Sequence, residues 1–302
     1  MESIKEEIEK LKKEKRAIIL AHYYVPGEVQ EIADYIGDSY FLSKKARETE
    51  AEMILFAGVS FMGESAKILN SERTVLLPDA QADCPMAHMA SREKIREMRE
   101  KYEDLAVVCY INSTAELKTM SDVCVTSSNA VDIVKKLPNK NIFFIPDGNL
   151  GAYVAAQVPE KNIIVNEGYC PVHREIQEED VKNARKEHPK APVLVHPECV
   201  SEVVRTADFV GSTSEIIQYA CQSEEKEFLI GTEEGVLWDL EKKCPEKAFY
   251  PVKPGQCCLD MKKVTLEKVR DALKEEKYQV SLEPETMEKA RRPLDKMLEL
   301  GK

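Results

Sequence analysis

The sequence predicts an α/β fold of three homologous αβα domains with parallel sheets, arranged about a pseudo-threefold axis. Short β-branched runs alternate with charged helical stretches along the whole chain. The same pattern of polar and apolar residues returns after 88 and again after 86 residues. We therefore expect domains at 1–103, 104–189 and 190–302, the first preceded by a helix and the last closed by a helix at 283–300.

Composition narrows the class of protein. A chain of 302 residues is long enough for two or three domains. It begins with MESIKEEIEKLKKEK, which is typical of an amphipathic helix and not of a signal peptide, and its apolar runs are too short to span a bilayer. We expect a cytoplasmic protein with no membrane contact. The net charge of -11 argues against nucleic acid as a partner.

Polar residues follow the first predicted strand of each repeat. The strand-like runs are AIILAHYY, LAVVCYIN and PVLVHPE. One aligned position holds His22, Tyr110 and His196, and the position two residues later holds Tyr24, Asn112 and Glu198. Because ligands of parallel α/β sheets bind at the carboxyl ends of the strands, we expect these six side chains to face a ligand.

A second pair of polar residues, an aspartate and a hydroxyl residue, recurs at the same spacing in each repeat. Asp34, Asp122 and Asp208 each precede a hydroxyl residue by five positions, and these residues are Ser39, Ser127 and Thr213. We expect the hydroxyls at the starts of helices, where free backbone N–H groups and the helix dipole bind anions. An acidic protein could then hold an anionic substrate without a basic patch. The simpler interpretation is that the hydroxyls cap helices and bind no ligand.

A cysteine follows the last predicted strand of each repeat. Cys84 and Cys170 hold this position in the first two copies, but the repeat spacing does not choose between Cys257 and Cys258 in the third. The other cysteines are interpreted as unpaired core or surface residues: Cys109, Cys124, Cys199, Cys221 and Cys244. Of these, Cys199 is a weaker candidate for a metal ligand, because it belongs to the HPEC motif.

Three thiolates related by a threefold axis indicate a particular metal group. They are one ligand short of tetrahedral structural zinc. They suit a [4Fe–4S] cluster with one open iron, which can act as a Lewis acid on a substrate. A closed zinc site of three cysteines and His173, from the CPVH motif, is the alternative, and iron content distinguishes the two.

Taken in order, the motifs resemble the quinolinate synthase family over nearly the whole chain. They are LAH-x-Y (20–24), IGDS (36–39), CPMA (84–87), YINST (110–114), TSSNAV (126–131), CPVH (170–173), HPEC (196–199), VGST (210–213) and C-x-x-MK (258–262). The resemblance implies three similar αβα domains and a three-cysteine [4Fe–4S] cluster. It also implies condensation of iminoaspartate with dihydroxyacetone phosphate to quinolinate, with loss of phosphate and water, on the way to NAD.

The resemblance carries site roles onto matching positions. It implies that Cys84, Cys170 and Cys258 hold the cluster, the last because Met261 stands where the family has x-x-Met after its third ligand. Substrate-binding positions are His22, Ser39, Tyr110, Asn112, Ser127, His196, Glu198 and Thr213. Glu198, His22 and His196 are candidates for proton transfer, with Tyr24 and Tyr110 as donors.

Some alternatives stay open at this point. The doubled cysteine departs from the family's single one, and Tyr23 replaces an asparagine common in the family. An aconitase-like hydro-lyase could use the same open iron, and an oxygen sensor or iron–sulfur carrier would not need the convergent polar residues. The resemblance also allows a transient contact with the enzyme that produces iminoaspartate.

Overall fold

The computed structural model describes residues 3–301. Twelve strands within this range form three four-stranded sheets with parallel pairing. All three sheets have the same order: the second strand of the repeat at one edge, then the first, third and fourth. The predicted α/β class with three helix-flanked sheets is therefore confirmed. Each sheet lies within one predicted repeat, and the domain boundaries themselves stay a prediction.

The first sheet follows the N-terminal helix predicted from the charged opening segment. Ser3 starts that helix with a capping box, in which its side chain and that of Glu6 exchange backbone hydrogen bonds. The elements are α1 (Ile4–Lys15), β1 (Ala17–His22), α2 (Gly27–Glu31), β2 (Tyr35–Gly37), α3 (Ser39–Glu48), β3 (Met53–Ala57), α4 (Ser60–Leu69) and β4 (Thr74–Leu76), and a 3₁₀ turn follows at Pro85–His88.

The second sheet contains β5, a strand that is buried along its whole length. Its elements are α5 (Arg92–Lys101), β5 (Leu105–Tyr110), α6 (Ala115–Lys118), β6 (Val123–Val125), α7 (Ala130–Lys136), β7 (Asn141–Ile145), α8 (Gly148–Gln157) and β8 (Asn162–Val165). Continuous apolar strands are expected where helices cover both faces of a parallel sheet.

The third sheet begins after two helices and is followed by two more. Its elements are α9 (Pro171–Glu175), α10 (Glu178–Glu187), β9 (Val193–Val195), α11 (Ser201–Thr206), β10 (Phe209–Val210), α12 (Thr213–Gln222), β11 (Glu227–Gly231), α13 (Val236–Lys243) and β12 (Ala248–Pro251). A 3₁₀ turn (Met261–Lys263), α14 (Leu266–Glu275) and α15 (Pro284–Leu300) complete the described chain. The predicted C-terminal helix at 283–300 is confirmed as α15.

Two of the repeated aspartates, Asp34 and Asp208, form hydrogen bonds with the backbone of the first strand of their sheets. The side chain of Asp34 accepts the backbone N–H of Ile19 at 2.7 Å, and its own N–H donates to the carbonyl of Ile19 at 2.9 Å. Asp208 makes the same two bonds with Val193, at 2.7 and 2.9 Å. The aspartates therefore support pairing of the first and second strands, which explains their place in the register.

The hydroxyls at the predicted helix starts are not the caps. Ser39 and Thr213 are the first helical residues of α3 and α12, but Asp38 and Ser212 accept the capping hydrogen bonds. Ser127 lies three residues before the first residue of α7, whose N-cap position is Asn129. The expectation that these hydroxyls cap helices is wrong, because the polar residue just before each helix takes that role or that position.

The chain divides into two compact units. The first comprises the described chain up to His88, Ile111–Cys124 and the part from Leu259 onward, and in it α1 packs against α14 and α15 against α4 and α6. The second comprises Met89–Tyr110 and Val125–Cys258. Among residues 3–301 no helix is both long and apolar enough to cross a membrane.

The cysteines outside the predicted cluster set are mostly buried. Cys109, Cys124 and Cys199 are buried and outside any disulfide, as expected of core residues. Cys221 and Cys244 form a disulfide between α12 and the end of α13. The interpretation of these two as unpaired was wrong, because they lie on different helices and 23 residues apart, so their spacing gave no sign of the pairing.

Candidate active site

Two histidines end their strands with the same local hydrogen bond. His22 is the last residue of β1, and its Nδ1 accepts the backbone N–H of Tyr24 at 3.2 Å. His196 follows β9, and its Nδ1 accepts the N–H of Glu198 at 3.3 Å. A neutral imidazole that accepts at Nδ1 carries its hydrogen on Nε2. Both rings are thus oriented to donate from Nε2.

Glu198 lies at the centre of a buried polar group in the second unit. Its Oε2 is 2.8 Å from Nδ1 of His173 and 3.6 Å from Nδ1 of His196, and only the first distance is a hydrogen bond. Burial would raise the pKa of Glu198. Electrostatic interactions with His173 and then His196, together with hydrogen bonds from His173 and Tyr110, outweigh burial and lower the pKa to about 2.

Two oxygens at equivalent strand ends are buried without a hydrogen bond. Among residues 3–301, Oε1 of Glu198 has no hydrogen-bond partner, and neither does Oδ1 of Asn112. The two residues occupy the same position in the second and third repeats. Leaving a buried acceptor unpaired costs roughly 1–3 kcal/mol, so such atoms are expected to meet a donor from a ligand or water.

His173 connects Glu198 to a predicted cluster ligand. Its Nδ1 lies 3.1 Å from Sγ of Cys170 as well as 2.8 Å from Glu198, and its Nε2 lies 2.9 Å from the hydroxyl of Thr232. Cys170, His173 and Glu198 form a group whose ligand atoms lie within 4.8 Å of one another. Because both ring nitrogens of His173 are engaged, the imidazole is better suited to orienting its neighbours than to binding zinc.

Asp147 is a further buried carboxyl in this group. It accepts the backbone N–H of Leu150 at 2.7 Å, at the start of α8, and that of Cys170 at 3.2 Å. Burial, and then the charge of Glu198, raise its pKa well above the usual range. Sequence reasoning missed Asp147 and Thr232, and it considered His173 only as a zinc ligand. The signal available was their position just after β7, just after β11 and within CPVH.

The loops that carry the predicted cluster cysteines share one backbone hydrogen bond. In each repeat, the N–H of the third residue after the third strand donates to a carbonyl in the cysteine loop. The donor–acceptor pairs are Ser60–Ala82 at 2.9 Å, Gly148–Gly168 at 2.8 Å and Glu234–Gln256 at 2.9 Å. Two residues beyond the acceptors stand Cys84, Cys170 and Cys258. In this register Cys258, and not Cys257, corresponds to the other two.

The predicted site residues divide between the two units. The first unit contains His22, Tyr24, Ser39, Cys84 and Asn112. The second contains Tyr110, Ser127, Cys170, His196, Glu198, Thr213 and Cys258. Of these, Glu198 is brought together with His196, Tyr110 and, through His173, Cys170. Thr213 is buried at the start of α12, and Ser127 is half-buried.

Comparisons with known proteins show the family of the chain. The family model described as "Quinolinate synthetase A protein" (NadA) matches residues 6–299. Curated relatives named quinolinate synthase include one from Caldicellulosiruptor bescii, 55% identical over 301 residues and covering 100% of this chain and 99% of the relative. One from Fusobacterium nucleatum is 54% identical over 99% of both chains, and one from Aquifex aeolicus is 47% identical over 100% of this chain and 95% of the relative. The chain belongs to the quinolinate synthetase A family.

Proposed function

We propose that this enzyme condenses iminoaspartate with dihydroxyacetone phosphate, releasing phosphate and water and forming quinolinate for NAD biosynthesis. The observation that carries the proposal, beside family membership, is the unpartnered buried Oε1 of Glu198. This oxygen stands at a strand end, where ligands of parallel sheets bind. A substrate with amine, imine or hydroxyl hydrogens would supply the donor that it lacks.

A [4Fe–4S] cluster on Cys84, Cys170 and Cys258 is part of the proposal. The three thiols fit such a group, because they are half-buried and occupy one register position, whereas Cys109, Cys124 and Cys199 are buried. The shared backbone bond of the three loops supports Cys258 over Cys257. When bound, a cluster with three cysteine ligands supplies an open iron that acts as a Lewis acid on substrate oxygen or nitrogen.

Glu198 is assigned two tasks. It orients His173 through the 2.8 Å bond, and its Oε1 accepts a hydrogen bond from the substrate. A carboxylate with a pKa of about 2 is a weak proton acceptor near neutral pH.

The strand-end donors complete the set of polar groups. His22 and His196 present Nε2–H groups, and Tyr24 and Tyr110 present hydroxyls that can orient or protonate substrate oxygen. For the anionic groups of the substrate we assign the helix starts at Ser39 and Thr213, together with Ser127. The N–H groups at a helix start and the helix dipole favour phosphate or carboxylate there.

The reaction also implies where the substrates come from. Iminoaspartate contains an imine, which hydrolyses in water, so a transient contact with the enzyme that produces it would limit this loss. We assign the reaction to the cytoplasm, where the cysteines of the proposed cluster stay reduced and able to bind iron. Neither substrate requires a nucleic acid or a membrane as partner.

The test is product formation by anaerobically reconstituted protein, given dihydroxyacetone phosphate and freshly generated iminoaspartate, with iron counted in the same sample. Quinolinate together with about four irons per chain supports the proposal. Four irons with no quinolinate would contradict the proposed reaction and favour an aconitase-like lyase or a sensor. Zinc in place of iron would contradict the cluster assignment.

The matched variants for this test are Glu198→Gln and Glu202→Gln. Glu202 lies nearby on α11 and is exposed. We expect the first change to lower turnover by about 100-fold or more, since proton transfer and positioning contribute roughly 10²–10⁴-fold. The second should leave turnover within about twofold. Full activity of Glu198→Gln would contradict its assigned role.

A further inference from the structure

A carboxylate accepts the backbone N–H of every predicted cluster cysteine. Asp83 accepts the N–H of Cys84 at 2.8 Å, and Asp147 that of Cys170 at 3.2 Å. Glu233 accepts the N–H of Cys258 at 2.9 Å. The N–H of Cys257, by contrast, donates to the carbonyl of Gly255. The carboxylate contact therefore follows the predicted ligands and not cysteines in general.

Each carboxylate also holds the start of a helix. The other oxygen of Asp147 accepts the N–H of Leu150 in α8 at 2.7 Å, and the other oxygen of Glu233 accepts the N–H of Gly235, just before α13, at 2.7 Å. In the first repeat, Asp83 is bonded to the hydroxyl of Ser60, the first residue of α4. Each carboxylate thus connects the helix after the third strand to the cysteine after the fourth.

In the first repeat, the carboxylate that makes this connection comes from a different position in the sequence. Asp147 and Glu233 lie two residues after the ends of β7 and β11, and the equivalent position after β3 is Val59. The carboxylate is supplied there by Asp83, which directly precedes the cysteine. The same contact is thus built from non-equivalent residues, which points to a requirement for the contact and not only to common descent.

A carboxylate suits this place better than an amide. Asp147 and Glu233 each face two backbone donors, one at each oxygen, and both side chains are fully buried. At Asp147 these backbone hydrogen bonds favour the ionised form and oppose the burial and the Glu198 charge that raise its pKa. An amide offers one oxygen, and its NH₂ group would face the second N–H. Asn or Gln would therefore leave a buried donor unpaired and release either the helix start or the cysteine.

We propose that Asp83, Asp147 and Glu233 are positioning residues that fix the three cluster cysteines and keep their backbone N–H groups away from the cluster sulfurs. This inference rests on the proposed function, because it takes the three cysteines as ligands. Backbone N–H groups that bond to cluster sulfur are among the groups that set the reduction potential. With these amides committed to carboxylates, the cluster lacks those donors and keeps a lower potential.

The test uses the full-length reconstituted protein and the variants Asp147→Asn, Glu233→Gln and Asp83→Ala, the last because both donors of Asp83 meet the same oxygen and an amide would keep them. Asp83 is only half-buried, so its variant stays informative if a buried change prevents folding. The control is Asp180→Asn, which removes a half-buried carboxylate that accepts one backbone N–H at the start of α10. The readouts are iron per chain, the rate of iron loss to an iron(II) chelator, and the midpoint potential of the cluster.

We expect each of the three variants to lose iron about 10- to 100-fold faster than the parent, the usual cost of removing an outer-sphere partner of a metal ligand. Their midpoint potentials should shift in the positive direction, and Asp180→Asn should match the parent in both readouts. Parent-like rates and potentials in folded variants would overturn the inference while leaving the proposed function intact. A parent that binds no iron would instead overturn the proposed function.

Discussion

Cys257 and Cys258 are neighbours in sequence but have different surroundings. The N–H of Cys258 bonds to the buried carboxylate of Glu233, and the N–H of Cys257 to the carbonyl of Gly255. We expect Cys258→Ser to retain at most about three irons per chain and to lose activity, because the two remaining thiolates hold a cluster poorly. Cys257→Ser is the matched control and should keep four irons. The measurement is iron and sulfide per chain after anaerobic reconstitution, and the reverse result would make Cys257 the ligand.

The lowered pKa of Glu198 makes stability depend on pH. Its pKa of about 2 in the folded protein lies below the usual 4.5, so its contribution is present above pH 4.5 and is lost as the pH falls towards 2. The full contribution is on the order of 3 kcal/mol. We expect the difference in unfolding free energy between the wild-type apoprotein and Glu198→Gln to shrink over this pH range. Chemical denaturation at pH 6 and pH 2.5 measures it, and an unchanged difference would contradict the shift.

Strand β9 depends on Asp208 more than on the ion pair that Asp208 forms. The aspartate accepts the N–H of Val193 at 2.7 Å, and the guanidinium of Arg185 is 2.7 Å away. We expect Asp208→Ala to lower the free energy of unfolding by about 1–3 kcal/mol, because a backbone donor loses its acceptor. Arg185→Ala should cost less than about 1 kcal/mol, because the pair is exposed. Urea denaturation of both variants measures the two losses in unfolding free energy. Equal losses would assign the effect to the ion pair between Arg185 and Asp208.

At the level of elements, sequence patterns predicted strands better than helix ends. Strand ends at His22 and Tyr110 could be predicted because apolar runs stop abruptly at polar residues. The hydroxyl register gave the start of α12 correctly but assigned the cap to Thr213 instead of Ser212. Ser212 and Thr213 are adjacent hydroxyl residues, and sequence spacing alone does not reveal which side chain accepts the backbone N–H of Glu215.

At the level of the whole molecule, the threefold repeat made the cysteine positions and the polar strand ends predictable, because both recur at fixed spacing. The carboxylates behind the cysteines were missed since the first repeat has Val59 where the others have Asp147 and Glu233. A feature that one copy supplies from another position leaves no repeated signal in the sequence. The repeat spacing alone left Cys257 and Cys258 open, and the backbone bond between Glu234 and Gln256 supports Cys258, which the family resemblance also favours.

The distribution of the core predicts that the chain folds without its cluster. Each sheet has its own buried aliphatic strands, as in β3, β5 and β9. A chain of this length buries enough surface to be stable, unlike small domains that need a metal to fold. We expect the apoprotein, and the variant with serine at positions 84, 170 and 258, to keep the native far-ultraviolet circular dichroism and a cooperative thermal transition. Because a cluster binds the folded state alone, reconstitution should raise the Tm of the wild type but not of the triple variant. An apoprotein without a cooperative transition would show instead that the cluster is needed for folding.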